Sequence, residues 1–179
     1  MKRLLFIIVV IASLGVPRVN AQLLAVKTNA LADVAMAPNL SIEVVTGGKT
    51  SLSATVIGCA NFYGKEVQMI GVMPEFRYWF NGRPLTREFI GISGGVAAYD
   101  ITWDNQRYKG DAYAGAITFG YDILLSPHWS VEFHAGIGLL YYDQQRYYLG
   151  DRIRDKSYNA NGLHIVPYNL GITFAWIIK

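Results

Sequence analysis

The chain is short of several things, and each shortage removes a class of protein. It has one cysteine, Cys59, so no internal disulfide can form. Cys59 reads as a small strand residue. No group of His, Cys and carboxylate residues has metal-ligand spacing, and no cofactor motif is present. Beyond the amino-terminal stretch, no apolar run approaches the roughly 20 residues that a spanning helix needs. There is no internal repeat and no low-complexity linker, and the length suits one domain.

The excess of positive charge is also local. Of 16 Lys and Arg residues, Lys2, Arg3 and Arg18 lie in the first 21 positions, leaving 13 against 13 Asp and Glu. A formally neutral body argues against nucleic acid as a partner. Lys2 and Arg3 precede an apolar run over residues 4–11, and Val19-Asn20-Ala21 supplies small residues for cleavage. That pattern is a secretory signal. We expect a signal peptide over 1–21 and a mature domain over 22–179. No Cys follows the cut, which argues against a lipid anchor.

What remains is hydrophobicity in alternation. Pro74-Glu75-Phe76-Arg77-Tyr78-Trp79-Phe80 puts Phe76, Tyr78 and Phe80 on one face and Glu75, Arg77 and Trp79 on the other. A soluble sandwich buries its apolar face. A membrane barrel turns that face to lipid and encloses the polar one. About eight strand-like segments follow this pattern, separated by Gly, Pro, Asn and Asp. They cover approximately 24–35, 40–46, 50–59, 71–80, 89–100, 112–125, 129–142 and 163–178. The facing of 89–100 is unassigned. Tyr168, Leu170, Ile172, Phe174 and Trp176 form the expected outward row of the last strand. The expected fold is all-β: an antiparallel up-and-down transmembrane barrel of about eight strands in the outer membrane.

Connections after strands three, five and seven (61–68, 102–111 and 143–161) read as long polar loops. Those after strands two and six, at Gly47-Gly48 and Ser126-Pro127-His128, are short. Bacterial barrels keep short turns on the periplasmic side, which places both termini there. Pro74 and Pro167 are expected near strand starts, where a missing donor is tolerated.

The enclosed face carries Lys27, Asp33, Glu43, Glu75, Arg77, Asp122, Glu132 and His134. An eight-stranded barrel has room for side chains and little else, and charges confined there must pair or be hydrated. We read them as an ion-pair network that plugs the lumen, with a narrow gated pore as the sharper alternative. Catalysis needs a nucleophile, a base and an orienting carboxylate within reach. His134 and Glu132 share a face, but no Ser or Thr sits beside them in sequence. His128 lies in a turn and His164 near a strand end. We expect no catalytic residues, no metal and no cofactor.

Amphipathic rings settle at bilayer interfaces. Phe80, Trp129 and Trp176 fall near the expected inner rim, and Trp103, Tyr108 and Tyr141 near the outer one. In the charged stretch 143–161, Arg146, Tyr147, Tyr148, Arg152 and Arg154 form a candidate partner-binding loop.

Several stretches together resemble a known family. These are Lys27-Thr28-Asn29, Pro38-Asn39-Leu40 with Glu43, Pro74 through Phe80, Gly120-Tyr121, and Trp129 through Tyr142. They look like landmarks of an uncharacterised outer-membrane barrel family of Bacteroides-type bacteria that carries a domain-of-unknown-function label. The resemblance covers nearly the whole mature chain. It implies an outer-membrane location and, for some members, association with fimbrial or envelope assembly. It brings no catalytic residues. The expected role is a monomeric envelope component that meets outer-membrane lipid around its wall and envelope or fimbrial proteins at its outer loops. A lipid-modifying outer-membrane enzyme and a soluble periplasmic lipocalin-like carrier are the alternatives.

Overall fold

In the computed structural model, described over residues 23–148 and 157–178, eight antiparallel strands close into one barrel in chain order. They are β1 (Leu24–Asn29), β2 (Asn39–Val45), β3 (Thr50–Cys59), β4 (Val67–Trp79), β5 (Arg87–Trp103), β6 (Gln106–Ser126), β7 (Trp129–Tyr148) and β8 (Ala160–Ile178). A one-turn helix, α1 (Ala30–Val34), joins β1 to β2. The expected signal peptide and the positions Arg152 and Arg154 lie outside the described residues.

The period-two pattern decides the facing. Phe76 and Phe133 are 48% and 46% exposed, whereas Glu75 and Glu132 are 3% and 0% exposed. The apolar row forms the outer surface and the charged row fills the interior, which inverts the arrangement of a soluble sandwich. On β5, left open by the sequence, Phe89, Gly91 and Ser93 point inward and Ile90 and Ile92 outward.

The walls are unequal in height. β1 and β2 have 6 and 7 residues, while β5 to β8 have 17 to 21. The end where β1 starts and β8 finishes is even. At the far end, β5 to β8 project as a tall wall.

Four expectations are corrected here. Residues 102–111 are not a long loop, because β5 and β6 run on to a two-residue turn at Asp104-Asn105, with φ of 49° and 62°. Both residues tolerate the left-handed region that this hairpin turn demands. Residues 143–148 likewise continue β7 and pair with β6, so Arg146, Tyr147 and Tyr148 stand on a strand and not in a loop. The first strand stops at Asn29, whose side chain accepts from Leu31 N at 3.0 Å and caps α1. Pro74 and Pro167 both sit inside strands; beside Pro74, the Ser93 hydroxyl donates to its carbonyl at 3.0 Å.

A β-bulge corrects the last strand. Pairing shifts between His134 and Gly136, opposite Asn169 with φ of 47°. One extra residue reverses the alternation. Tyr168 therefore turns inward, where its hydroxyl lies 3.0 Å from that of Ser93, and Leu170 remains outside.

The end where β1 starts and β8 finishes is sealed by an apolar floor. Leu85, from the connection between β4 and β5, folds beneath the barrel against Ala25, Val45, Trp79, Phe89 and Ile177. Trp79 Nε1 donates to Ser51 Oγ at 2.8 Å, which ties this floor to the polar layer above it.

Candidate functional site

The polar layer is built from pairs two residues apart on single strands. β4 supplies Glu75 and Arg77, β7 supplies Glu132 and His134, and β1, β2 and β6 add Lys27, Glu43 and Asp122. The register then brings them together, with Asp122 directly opposite Glu132 and Ser51 opposite Arg77.

Four of the groups form a ring of alternating sign. Lys27 Nζ lies 2.6 Å from Glu43 Oε2 and 2.7 Å from Glu132 Oε2. The Arg77 guanidinium closes the ring through one terminal nitrogen, 3.0 Å from Glu43 Oε2 and 2.8 Å from Glu132 Oε2. Its other terminal nitrogen donates to Glu75 Oε2 at 2.9 Å. All of these groups are buried, and buried charges persist only when paired and hydrogen-bonded.

Hydroxyls hold three further carboxylate oxygens. Ser51 donates to Glu43 Oε1 at 2.5 Å, Thr118 donates to Glu75 Oε1, and Ser130 donates to Asp122 Oδ2 at 3.1 Å. The Arg77 guanidinium also lies over the Phe89 ring, 4.4 Å from its centroid. His134 Nδ1 lies 3.1 Å from Glu132 Oε1 without a hydrogen bond between them.

Gly91 makes room for this layer. A Cβ there would stand 2.5 Å from Thr118 Oγ1 and 2.6 Å from Glu75 Oε1, both held in place by the network. Gly91→Ala is expected to cost about 1–3 kcal/mol, the usual range for overpacking. Denaturant unfolding in detergent, compared with Gly115→Ala at a position with nothing within 4 Å, measures it.

Asp33 does not join the network. It sits on α1, where Oδ2 accepts from Thr28 Oγ1 at 2.8 Å and Oδ1 from Asn39 Nδ2 at 3.1 Å. Asn39 also accepts from Asn29 N at 2.8 Å and donates to its carbonyl at 3.1 Å. Alternation over residues 26–34 suggested a strand, but the capped turn lifts Asp33 to the exposed rim. Thr28, Asn29, Asp33 and Asn39 thus form a clasp between the short strands.

Above the ring lies a small polar cavity of about 30 Å3, lined in part by Ser53, Arg77, Glu132 and His134. Ser53 Oγ, Arg77 Nε and Glu132 Oε1 are buried there without hydrogen-bond partners. Donors and acceptors around that volume suit one or two waters. Neither His134 nitrogen has a hydrogen-bond partner among the described residues. Among those residues, no three His, Cys, Asp or Glu side chains form a group suited to a metal ion.

The aromatic residues divide. Phe80, Trp129, Tyr141 and Trp176 lie on the outer face, with Trp129 and Trp176 stacked at 6.4 Å. Trp103 and Tyr108 do not join that belt, because their strand parity places them on the concave face of the tall wall. Lys65 Nζ lies 5.0 Å from the Trp103 ring, and the Arg146 guanidinium lies 5.5 Å from the Tyr108 ring. Arg146 Nε also donates to Gln106 Oε1 at 2.7 Å. On the convex face, Arg107 donates to both carboxylate oxygens of Asp100 at 2.7 Å. Sequence reasoning missed the β5–β6 part of this wall because its turn, Asp104-Asn105, carries no glycine. It also missed the floor residue Leu85, which sits in a connection with no periodicity.

A closed eight-stranded antiparallel barrel with an apolar exterior and an ion-paired interior is the class of protein that these features define. The chain belongs to the family described as "Protein of unknown function (DUF3575)", which matches residues 5–178. No curated protein and no solved structure matches it.

Proposed function

We propose that the protein is a small outer-membrane barrel with a plugged lumen, exported by a cleaved signal peptide. In this reading the end with the termini faces the periplasm. It is a monomeric structural or interaction component of the envelope, and its tall far-end wall engages envelope or surface-assembly proteins. The inverted facing carries the reading. A row such as Ile90, Ile92, Ile117, Phe119 and Phe133 on a wall in water would be an aggregation hazard, and in hydrocarbon it is the stable arrangement. The ion-pair ring and the apolar floor block the axis at two levels.

Cell fractionation tests the location. The protein is expected in the outer membrane, resistant to salt and carbonate extraction, and with a mature amino terminus at Gln22. Recovery in the soluble periplasm would overturn the reading. The plug has its own test: purified protein in planar bilayers is expected to show no steady conductance, and regular single-channel steps would refute it.

A further inference from the structure

The barrel is zipped shut over only part of its height. β1 pairs with β8 through six residues, Leu24–Asn29 against residues 173–178. Above that, residues 160–172 pair with β7 on one side. On the other side, among the described residues, they meet no strand. This is about 40 Å of edge at the usual strand rise. At its lower end α1 packs against β8, and Asn29 Nδ2 donates to the Leu170 carbonyl at 3.3 Å. Pro167, which has no N–H, and the left-handed Asn169 then break the edge. What remains is a straight run over residues 160–166. Its outward side chains are bare, and Ile165 is 71% exposed.

The geometry points to an interaction site on this edge for an extended segment of another polypeptide, which adds a strand antiparallel to β8 along residues 160–166. A row of backbone N–H and C=O groups that no described strand takes up is matched only by another extended backbone. The added strand would run in the direction of β1 and continue its line above α1. Opposite Leu163 and Ile165 it would carry apolar residues, spaced two apart, on the outer face. On the inner face it would meet Gly162 and the His164 ring, which is stacked on Tyr142 at 5.8 Å.

A second copy of this chain does not fit the edge. Strands in such barrels tilt by about 35–45° with one hand, so facing walls of two upright copies cross at about twice that angle and cannot form a ladder. This exclusion rests on the membrane reading.

Two measurements on the full chain test the site. Amide hydrogen exchange compares protein purified into lipid nanodiscs with protein in native outer-membrane vesicles. Edge amides of residues 160–166 are expected to exchange freely in nanodiscs and roughly 100-fold more slowly in native membranes. A photo-crosslinking residue at Leu163 or Ile165 is expected to label one partner polypeptide at sites two residues apart. The same residue at Ile137, flanked by β6 and β8, is expected to label none. Edge amides already protected in the purified protein would overturn the site. So would crosslinks to a second copy, or edge amides that remain free in native membranes with crosslinks to lipid alone. Exchange reads the edge in whatever fraction the protein is recovered, so failure of the site and failure of the membrane location are told apart.

Discussion

Arg77→Ala is expected to destabilise the barrel by about 3–5 kcal/mol, the range seen when one partner of a buried ion pair is removed. The size follows from the ring. Arg77 touches Glu43, Glu75 and Glu132, each of them buried. Without it, Lys27 is the one remaining cation within 3 Å of Glu43 and Glu132 among the described residues, and Glu75 keeps no ion pair among them. The loss of packing over the Phe89 ring adds to the cost. Arg77→Lys should recover only part of the loss, because an ammonium cannot bridge three carboxylates in one plane. Urea unfolding in detergent, or the temperature at which the heat-modifiable band shifts in gels, measures both variants. Wild-type melting for Arg77→Ala would show that the ring carries no net stability.

The second large effect is expected on the outside. Phe119 is exposed on β6 opposite Ala135, midway between Trp129 and Tyr141 on β7. On a wall in water, Phe119→Arg would be neutral or would improve solubility. At the centre of a bilayer an arginine costs about 2–4 kcal/mol. We therefore expect Phe119→Arg to lower unfolding stability in lipid vesicles by that amount. Asp111→Arg, on the convex face of the projecting wall, should change it little. Equal effects at the two positions would count against lipid around the barrel.

How much could be read without coordinates differs from element to element. β3 was readable because Leu52, Ala54 and Val56 alternate cleanly with Ser51, Ser53 and Thr55, and its observed bounds agree with that pattern. The last strand was readable below Leu170 and misread above it. A single residue in a left-handed conformation reverses the parity, and Asn169 carries no mark that sets it apart from an ordinary polar strand residue. Asp33 was misplaced for a related reason. A run of alternating Ala, Leu and Val suits a helical turn as well as a strand, and the hydrogen bond from Leu31 N to Asn29 decides for the turn. Trp103 and Tyr108 have the composition of interface residues. Their side of the sheet depends on where the hairpin turns, and Asp104-Asn105 turns it later than expected.

Period-two alternation is local, set by the pleat, and it reports which residues share a face. On its own it therefore assigned the all-β class, the strand number, and the sorting of Lys27, Glu43, Glu75, Arg77, Asp122, Glu132 and His134 away from the apolar row. Pairing is non-local. The closure of Lys27, Glu43, Arg77 and Glu132 into one ring, the folding of Leu85 beneath them, and the edge above the β1–β8 seam that no described strand pairs with depend on register and on unequal strand lengths. Those arise only when the first strand meets the last, about 150 residues apart in sequence, and no window along the chain contains that meeting.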